Sequence, residues 1–161
     1  MYDMSMSMTV RQVAVPSAVR ARSTLRHADY EDAFVVEIGA AQERTAEQWA
    51  RSILEDAPAT MRRNLRRGWL ALGLKLGSAT RSDRFVLGWE LRRSTPDFVL
   101  LGAGSRIGMP AELLLERRRR TLLLATFVQP GNPIARALWA GVEPTHRRIV
   151  PAVLARRGRA Y

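Results

Sequence analysis

The stretch that most limits what this chain can fold into lies near its C-terminus, "NPIARALWAGVEPTHRRIVPAVLARR", residues 132–157. At about 100° per residue, Ala135, Leu138, Trp139, Val142, Thr145, His146, Ile149 and Val153 fall within one arc, with Arg136, Glu143, Arg147 and Arg148 outside it. The pattern predicts a long amphipathic helix from Asn132 to Arg157. Asn132 is its N-cap and Pro133 its first helical residue, where a missing N–H costs nothing. Pro144 and Pro151 stand opposite the apolar face, and each removes a backbone hydrogen bond and bends the helix. A helix bent in this way can follow the concave surface of a twisted sheet.

The preceding residues supply such a sheet. In "RFVLGWELRR", Phe85, Leu87, Trp89 and Leu91 point one way and Arg84, Val86, Glu90 and Arg92 the other, the period of a half-buried strand. "DFVLLGAG" follows a "STP" turn as the next strand. "IGMPAELLLE" then puts Ile107, Met109, Ala111, Leu113 and Leu115 on one face, and "TLLLATFV" returns after an "RRRR" tip. Strands separated by short turns predict an antiparallel meander. Earlier, Phe34, Val35, Val36 and Ile38 behind Tyr30 read as a first strand. Two helices come after it. Thr45 and Gln48 have capping-box spacing before Trp49, Ile53 and Leu54, and Met61, Leu65, Trp69, Leu72 and Leu76 make the stripe of a second helix over about 60–74. The fold class expected is therefore α+β, with an antiparallel sheet of about five strands, two short helices after the first strand, and the C-terminal helix across the sheet.

The order strand, helix pair, meander, long helix resembles the START-like helix-grip superfamily, also called SRPBCC or polyketide-cyclase-like. "ADYEDAFVVEI" at 28–38 and "ATFVQPGNPIARALWAGVEPTHRRIVPAVL" at 125–154 are similar to a small, mostly actinobacterial branch of unknown function. Its members carry an Asp-Tyr-x-Asp-x-Phe opening and a Pro-x-His-Arg helix. The resemblance covers about residues 11–157. It implies a curved sheet gripping the long helix, with a cavity between them that commonly holds an apolar ligand. The branch supplies no catalytic residues to carry over.

At 161 residues the chain fits one domain, able to bury roughly 68–70% of its unfolded surface. The expected organisation is a flexible N-terminal arm over 1–26, a domain over 27–157 and a frayed end at 158–161. There is no cysteine, so disulfides, thiolate nucleophiles and Cys-ligated zinc are excluded. No apolar run reaches the roughly 18 residues of a membrane span and no secretory leader opens the chain, so a cytoplasmic protein is expected. The formal net charge is +11, almost all of it arginine, which favours anionic partners without bearing on fold.

Candidate pocket residues are Trp69, Trp89, Leu91, Leu113 and Phe127 from the helix pair and sheet, with Trp139, Val142, His146 and Ile149 from the last helix. Convergent tryptophans suit a plain core as well as a pocket. His146 is the one catalytic candidate. A histidine on an apolar face is more often a hydrogen-bonded core residue, and it needs a carboxylate partner before it has a mechanism; Asp29, Asp32 and Glu37 are available in principle. "GAGSRIG" at 102–108 lacks the last glycine and the following helix of a dinucleotide fingerprint, so a bend in the sheet is the ordinary reading. No nucleophile elbow, zinc-binding motif or metal-ligand cluster is present, and no cofactor or metal is expected.

Two basic clusters remain. Arg62, Arg63, Arg66 and Arg67 lie on the solvent side of the second helix, and Arg117, Arg118, Arg119 and Arg120 at a hairpin tip. Neither has a stacking aromatic beside it, which a nucleic-acid surface usually offers. The leading expectation is a binding protein for a small apolar or amphipathic molecule. The alternatives are a cyclase- or dehydratase-like enzyme using His146, and a basic-surface binder of nucleic acid or anionic membrane.

Overall fold

The computed structural model describes residues 10–39 and 43–156. Its framework is an antiparallel sheet built mainly from the alternating segments. The long strands are β2 (Tyr30–Glu37), β5 (Trp89–Ser94), β6 (Phe98–Ser105), β7 (Ala111–Arg117) and β8 (Thr121–Val128), with the short strands β1 (Arg11–Val13), β3 (Leu74–Lys75) and β4 (Phe85–Val86) added. The sheet order is β1-β2-β8-β7-β6-β5-β4, with β3 pairing β6 off this path. Four helices complete the chain: α1 (Ser17–Arg20), α2 (Ala46–Leu54), α3 (Ala59–Ala71) and α4 (Pro133–Arg156). Among the described residues no helix is long and apolar enough to cross a membrane.

The fold is α+β as expected, but the sheet has eight strands and not five. Three differences account for the count. β1 and β3 are too short to leave a periodic signal, and "RFVLGWELRR" is not one strand. Leu87 and Gly88 both have positive φ, 48° and 95°, so the chain reverses there in a two-residue hairpin between β4 and β5, the geometry that primed turns require. Leu-Gly is a poor match to the Asn-Gly signal of such turns, and the apolar alternation running through it hides the reversal.

Side chains divide cleanly between the two faces of the sheet. The inner face carries Tyr30, Phe34, Val36, Val99, Leu101, Leu113, Leu115 and Leu122 under α2, α3 and α4. The outer face carries Ala33, Val35, Phe98, Leu100, Leu114, Leu123, Ala125 and Phe127 under Val13, Val15, Val19, Leu25 and Ala28. The segment expected to be a flexible arm is thus structural from Arg11 onward: β1 extends the sheet at its edge, and the residues after it cover the outer face. The first nine residues, Arg157 and the expected frayed end at 158–161 lie outside the described residues.

Local signals position the helices. The Thr45 side chain accepts from the Gln48 N–H at 3.2 Å while the Gln48 side chain accepts from the Thr45 N–H at 2.8 Å, a full capping box. Asn132 Oδ1 accepts from the Ala135 N–H at 2.8 Å, and its amide donates to the Ile107 carbonyl at 2.8 Å. That second bond ties the start of α4 to the β6–β7 turn. Pro144 and Pro151 both lie inside α4.

Candidate functional site

The face of α4 turned to the sheet carries Ala135, Trp139, Val150, Val153 and Leu154 as buried residues, with His146 half-buried among them. From Trp139, His146 and Val150 each stand only about 20° around the helix axis, whereas Ile149 is about 80° away and Thr145 about 120°. Ile149 is accordingly 40% exposed and Thr145 is exposed as well. The expected apolar arc was too wide, and Val150 takes the place assigned to Ile149.

His146 meets β2. Its Nε2 lies 3.0 Å from Asp32 Oδ2, and the Tyr30 hydroxyl donates to that same oxygen at 2.5 Å. Strand alternation places Tyr30 and Asp32 two residues apart on the inner face. Trp139 packs edge-on against Tyr30 at 4.9 Å between ring centroids and tilted against His146 at 5.3 Å. With Nε2 donating to Asp32, the ring is held in one orientation and one tautomer, and Nδ1 remains the basic nitrogen. The Tyr30 phenol is pushed well above its ordinary pKa, first by burial and then by its hydrogen bond to Asp32, so it stays a neutral donor. Arg147 sits over the outer edge of that ring, 5.6 Å from its centroid.

Beside this triad is a small cavity of about 40 Å³. The sheet contributes Trp89, Leu113 and Thr126, α3 contributes Trp69, and α4 contributes Trp139 and His146. Trp69 and Trp89 meet edge to face at 5.5 Å. Three of these lining residues carry a polar atom buried without a hydrogen-bond partner among the described residues, Trp89 Nε1, Trp139 Nε1 and Thr126 Oγ1, and the second oxygen of Asp32, Oδ1, is buried in the same way. Thr126 is the register partner of Asp32 across the β2–β8 pairing, so these groups share one neighbourhood of the inner face.

The structure therefore brings together Trp69, Trp89, Leu113, Trp139 and His146 of the expected pocket set. Leu91 and Val142 pack half-buried against the same core without lining the cavity, and Ile149 faces outward. Phe127 is a correction: it is fully buried in the outer-face core, because β8 turns Thr126 and Val128 inward, and a one-residue difference in phase exchanges the faces. Sequence reasoning missed Tyr30 and Thr126 and left Asp32 as one of three options. The signal for all three was a polar side chain at an apolar phase of a strand.

The basic clusters separate. Arg62, Arg63, Arg66 and Arg67 line one groove with residues of the loop before β4. At the β7–β8 hairpin, Arg117 pairs with Asp97 at 3.0 Å and donates to the Arg44 carbonyl at 3.0 Å, and Arg118 pairs with Glu116 at 2.8 Å. Only Arg119 and Arg120 of that cluster stay at the exposed tip without an ion pair among the described residues. Among the described residues no group of three or more His, Asp or Glu side chains is placed to hold a metal ion. No family model, no curated protein and no solved structure matches the chain.

Proposed function

We propose that the chain is a START-like, helix-grip protein that receives a small apolar or amphipathic molecule between the sheet and α4, its polar end toward Asp32 and His146. The observation that carries this reading is that three residues lining one mostly apolar cavity each keep a buried polar atom without a partner among the described residues, Trp89 Nε1, Trp139 Nε1 and Thr126 Oγ1. A buried donor or acceptor left unmet costs about 1–3 kcal/mol, and apolar pockets with a few convergent polar groups are where small ligands bind. At about 40 Å³ the cavity holds a few waters or one functional group, so the rest of a ligand enters by parting the half-buried side chains of Trp69 and Leu72 that line it. The element order and the packing of α4 on the inner face support the helix-grip assignment.

Calorimetric titration with octanoate, p-cresol and indole tests this. One saturable site per chain is expected for at least one of them, weakened about tenfold by Trp139→Phe, which keeps an aromatic side chain and removes the N–H. If none binds, the carrier reading fails.

A second reading is favoured by the 3.0 Å contact between His146 and Asp32. A histidine oriented by a carboxylate can take a proton through its other nitrogen and is stabilised as the imidazolium, the arrangement general acid–base catalysis uses. The reaction class would be proton abstraction beside a carbonyl, as in cyclase or dehydratase chemistry. Exchange of the α-hydrogens of a bound ketone into deuterated water, lost in His146→Ala with binding retained, separates this enzyme from a carrier.

A further inference from the structure

The helix that lends Trp69 to the cavity presents a different chemistry on its other side. Arg62, Arg63, Arg66 and Arg67 stand at i, i+1, i+4 and i+5 on α3 and form one wall of a groove of about 490 Å³, with Thr80 and Leu87 among the residues facing them. No acidic residue lines this groove. Among the described residues none of the four arginines makes an ion pair, while elsewhere Arg20, Arg22, Arg51, Arg81, Arg92, Arg117, Arg118, Arg136 and Arg147 all do. Like charges one turn apart on a helix repel, so the wall is charge-frustrated as it stands.

The wall is also held in place. Arg62 donates to the Glu55 carbonyl at 3.0 Å. Arg66 donates to the Gly77 carbonyl at 3.3 Å and the Leu87 carbonyl at 3.2 Å, clamping the far wall to the helix. Gly88 permits this approach: a Cβ there would lie 2.3 Å from Arg66 Nη1. A guanidinium has five N–H donors, so Arg62 and Arg66 keep donors for a ligand after fixing the groove, and little ordering is left to do on binding. Arg63 and Arg67 are exposed at the mouth.

We propose that this groove binds the phosphate groups of a small phosphorylated molecule. Guanidinium groups recognise phosphate oxygens in pairs, and the volume falls in the usual small-molecule range of about 300–1,000 Å³. A nucleic-acid surface would want an aromatic platform, and the lining has no aromatic. The proposal does not depend on the α4 cavity having any ligand.

The test uses inorganic pyrophosphate, titrated calorimetrically into the full chain at physiological salt. Arg63→Gln/Arg67→Gln should weaken binding at least tenfold, while Arg119→Gln/Arg120→Gln, which removes the same charge from the hairpin tip, should change it less than twofold. Both pairs are exposed, and unchanged melting temperatures verify folding. Equal weakening in the two variants, or no binding by the wild type, overturns the proposal. Vesicles of phosphatidylcholine with phosphatidic acid then distinguish sources. Vesicle binding displaced by pyrophosphate assigns the phosphate to a lipid headgroup, and pyrophosphate binding without vesicle binding assigns it to a free molecule. Binding of vesicles or of duplex DNA that pyrophosphate neither matches nor displaces refutes the groove.

Discussion

Among the described residues each face of the sheet buries one carboxylate from its own strands, and the two are treated in opposite ways. On the outer face Glu112 is 0% exposed and fully engaged. Oε1 accepts from Ser23 Oγ at 2.6 Å and the Thr24 N–H at 3.0 Å, Oε2 accepts from the Thr24 hydroxyl, and Arg92 stands 3.5 Å away. On the inner face Asp32 is 2% exposed, with both partners crowded on Oδ2 and none on Oδ1. A buried charge with every lone pair met is a tie between parts of the fold. A buried charge left half-met beside a histidine and a cavity stores an interaction for something else to complete. The difference marks Glu112 as a structural tie and makes Asp32 the carboxylate on which the proposed pocket depends.

Glu112→Ala should show the largest effect. It deletes the acceptor for three donors of residues 23–24, the residues that fasten the N-terminal segment to β7, while Arg22 nearby still holds on through Glu116 at 2.7 Å and by stacking on Phe98 at 4.1 Å. Hydrogen bonds to a charged group are each worth about 1.5–3 kcal/mol, and water entering the site offsets part of the loss, so about 3 kcal/mol of stability should go. For a domain of this size that corresponds to roughly 6–12 °C in melting temperature. Amide exchange should rise over residues 11–28 and stay unchanged in α4. Faster exchange in α4 would mean the outer-face tie also holds the inner site together, and the comparison would collapse.

Asp32→Asn should cost about half as much or less, on the order of 1–1.5 kcal/mol, because the shape is kept and Oδ1 has no partner to lose. Its effect should instead appear at the pocket, as a loss of ligand affinity or of proton exchange of at least tenfold. Thermal melts and calorimetry on the same preparations check both. A stability loss equal to that of Glu112→Ala, with binding intact, would make Asp32 a second structural tie.

Much of the fold was legible in the sequence, and the limits of that reading have physical causes. The long helix, its Asn132 cap, the Thr45–Gln48 box and the inward phase of Met109, Ala111, Leu113 and Leu115 follow from local periodicity and capping chemistry. Asp32 and Tyr30 were visible at the start of a β-favouring run, but their partner His146 lies more than a hundred positions later and only the tertiary fold joins them. Phe127 and Ile149 went to the wrong side because one position of phase decides a face. Glu112 gave no signal at all: its meaning depends on Ser23 and Thr24, in a segment without a period of its own. The arginines of α3 were read as a solvated face, since the loop that turns that face into a groove is pinned by backbone carbonyls, which leave no trace in the sequence.

Tyr30 offers the finest separation of the two faces, because it tests whether the Asp32 site is held apart from water. In the unfolded chain a tyrosine ionises near pH 10. In the fold the phenol ionises at higher pH, since burial and the neighbouring Asp32 carboxylate oppose a phenolate more strongly than Arg147 favours it. Above about pH 10 the unfolded chain has therefore released a proton that the folded chain keeps. The stability tied to this group is complete below that pH and declines as the pH rises further. Wild type and Tyr30→Phe, compared by urea denaturation at pH 8, 9, 10 and 10.5, should differ by a constant amount up to about pH 10 and then converge, as the wild type alone loses the contribution. Tyr2 and Tyr161 are common to both chains and cancel in the difference. Parallel curves through pH 10.5 would show that Tyr30 titrates as a solvated phenol, and then the inner carboxylate is open to water and its half-met state carries no functional meaning.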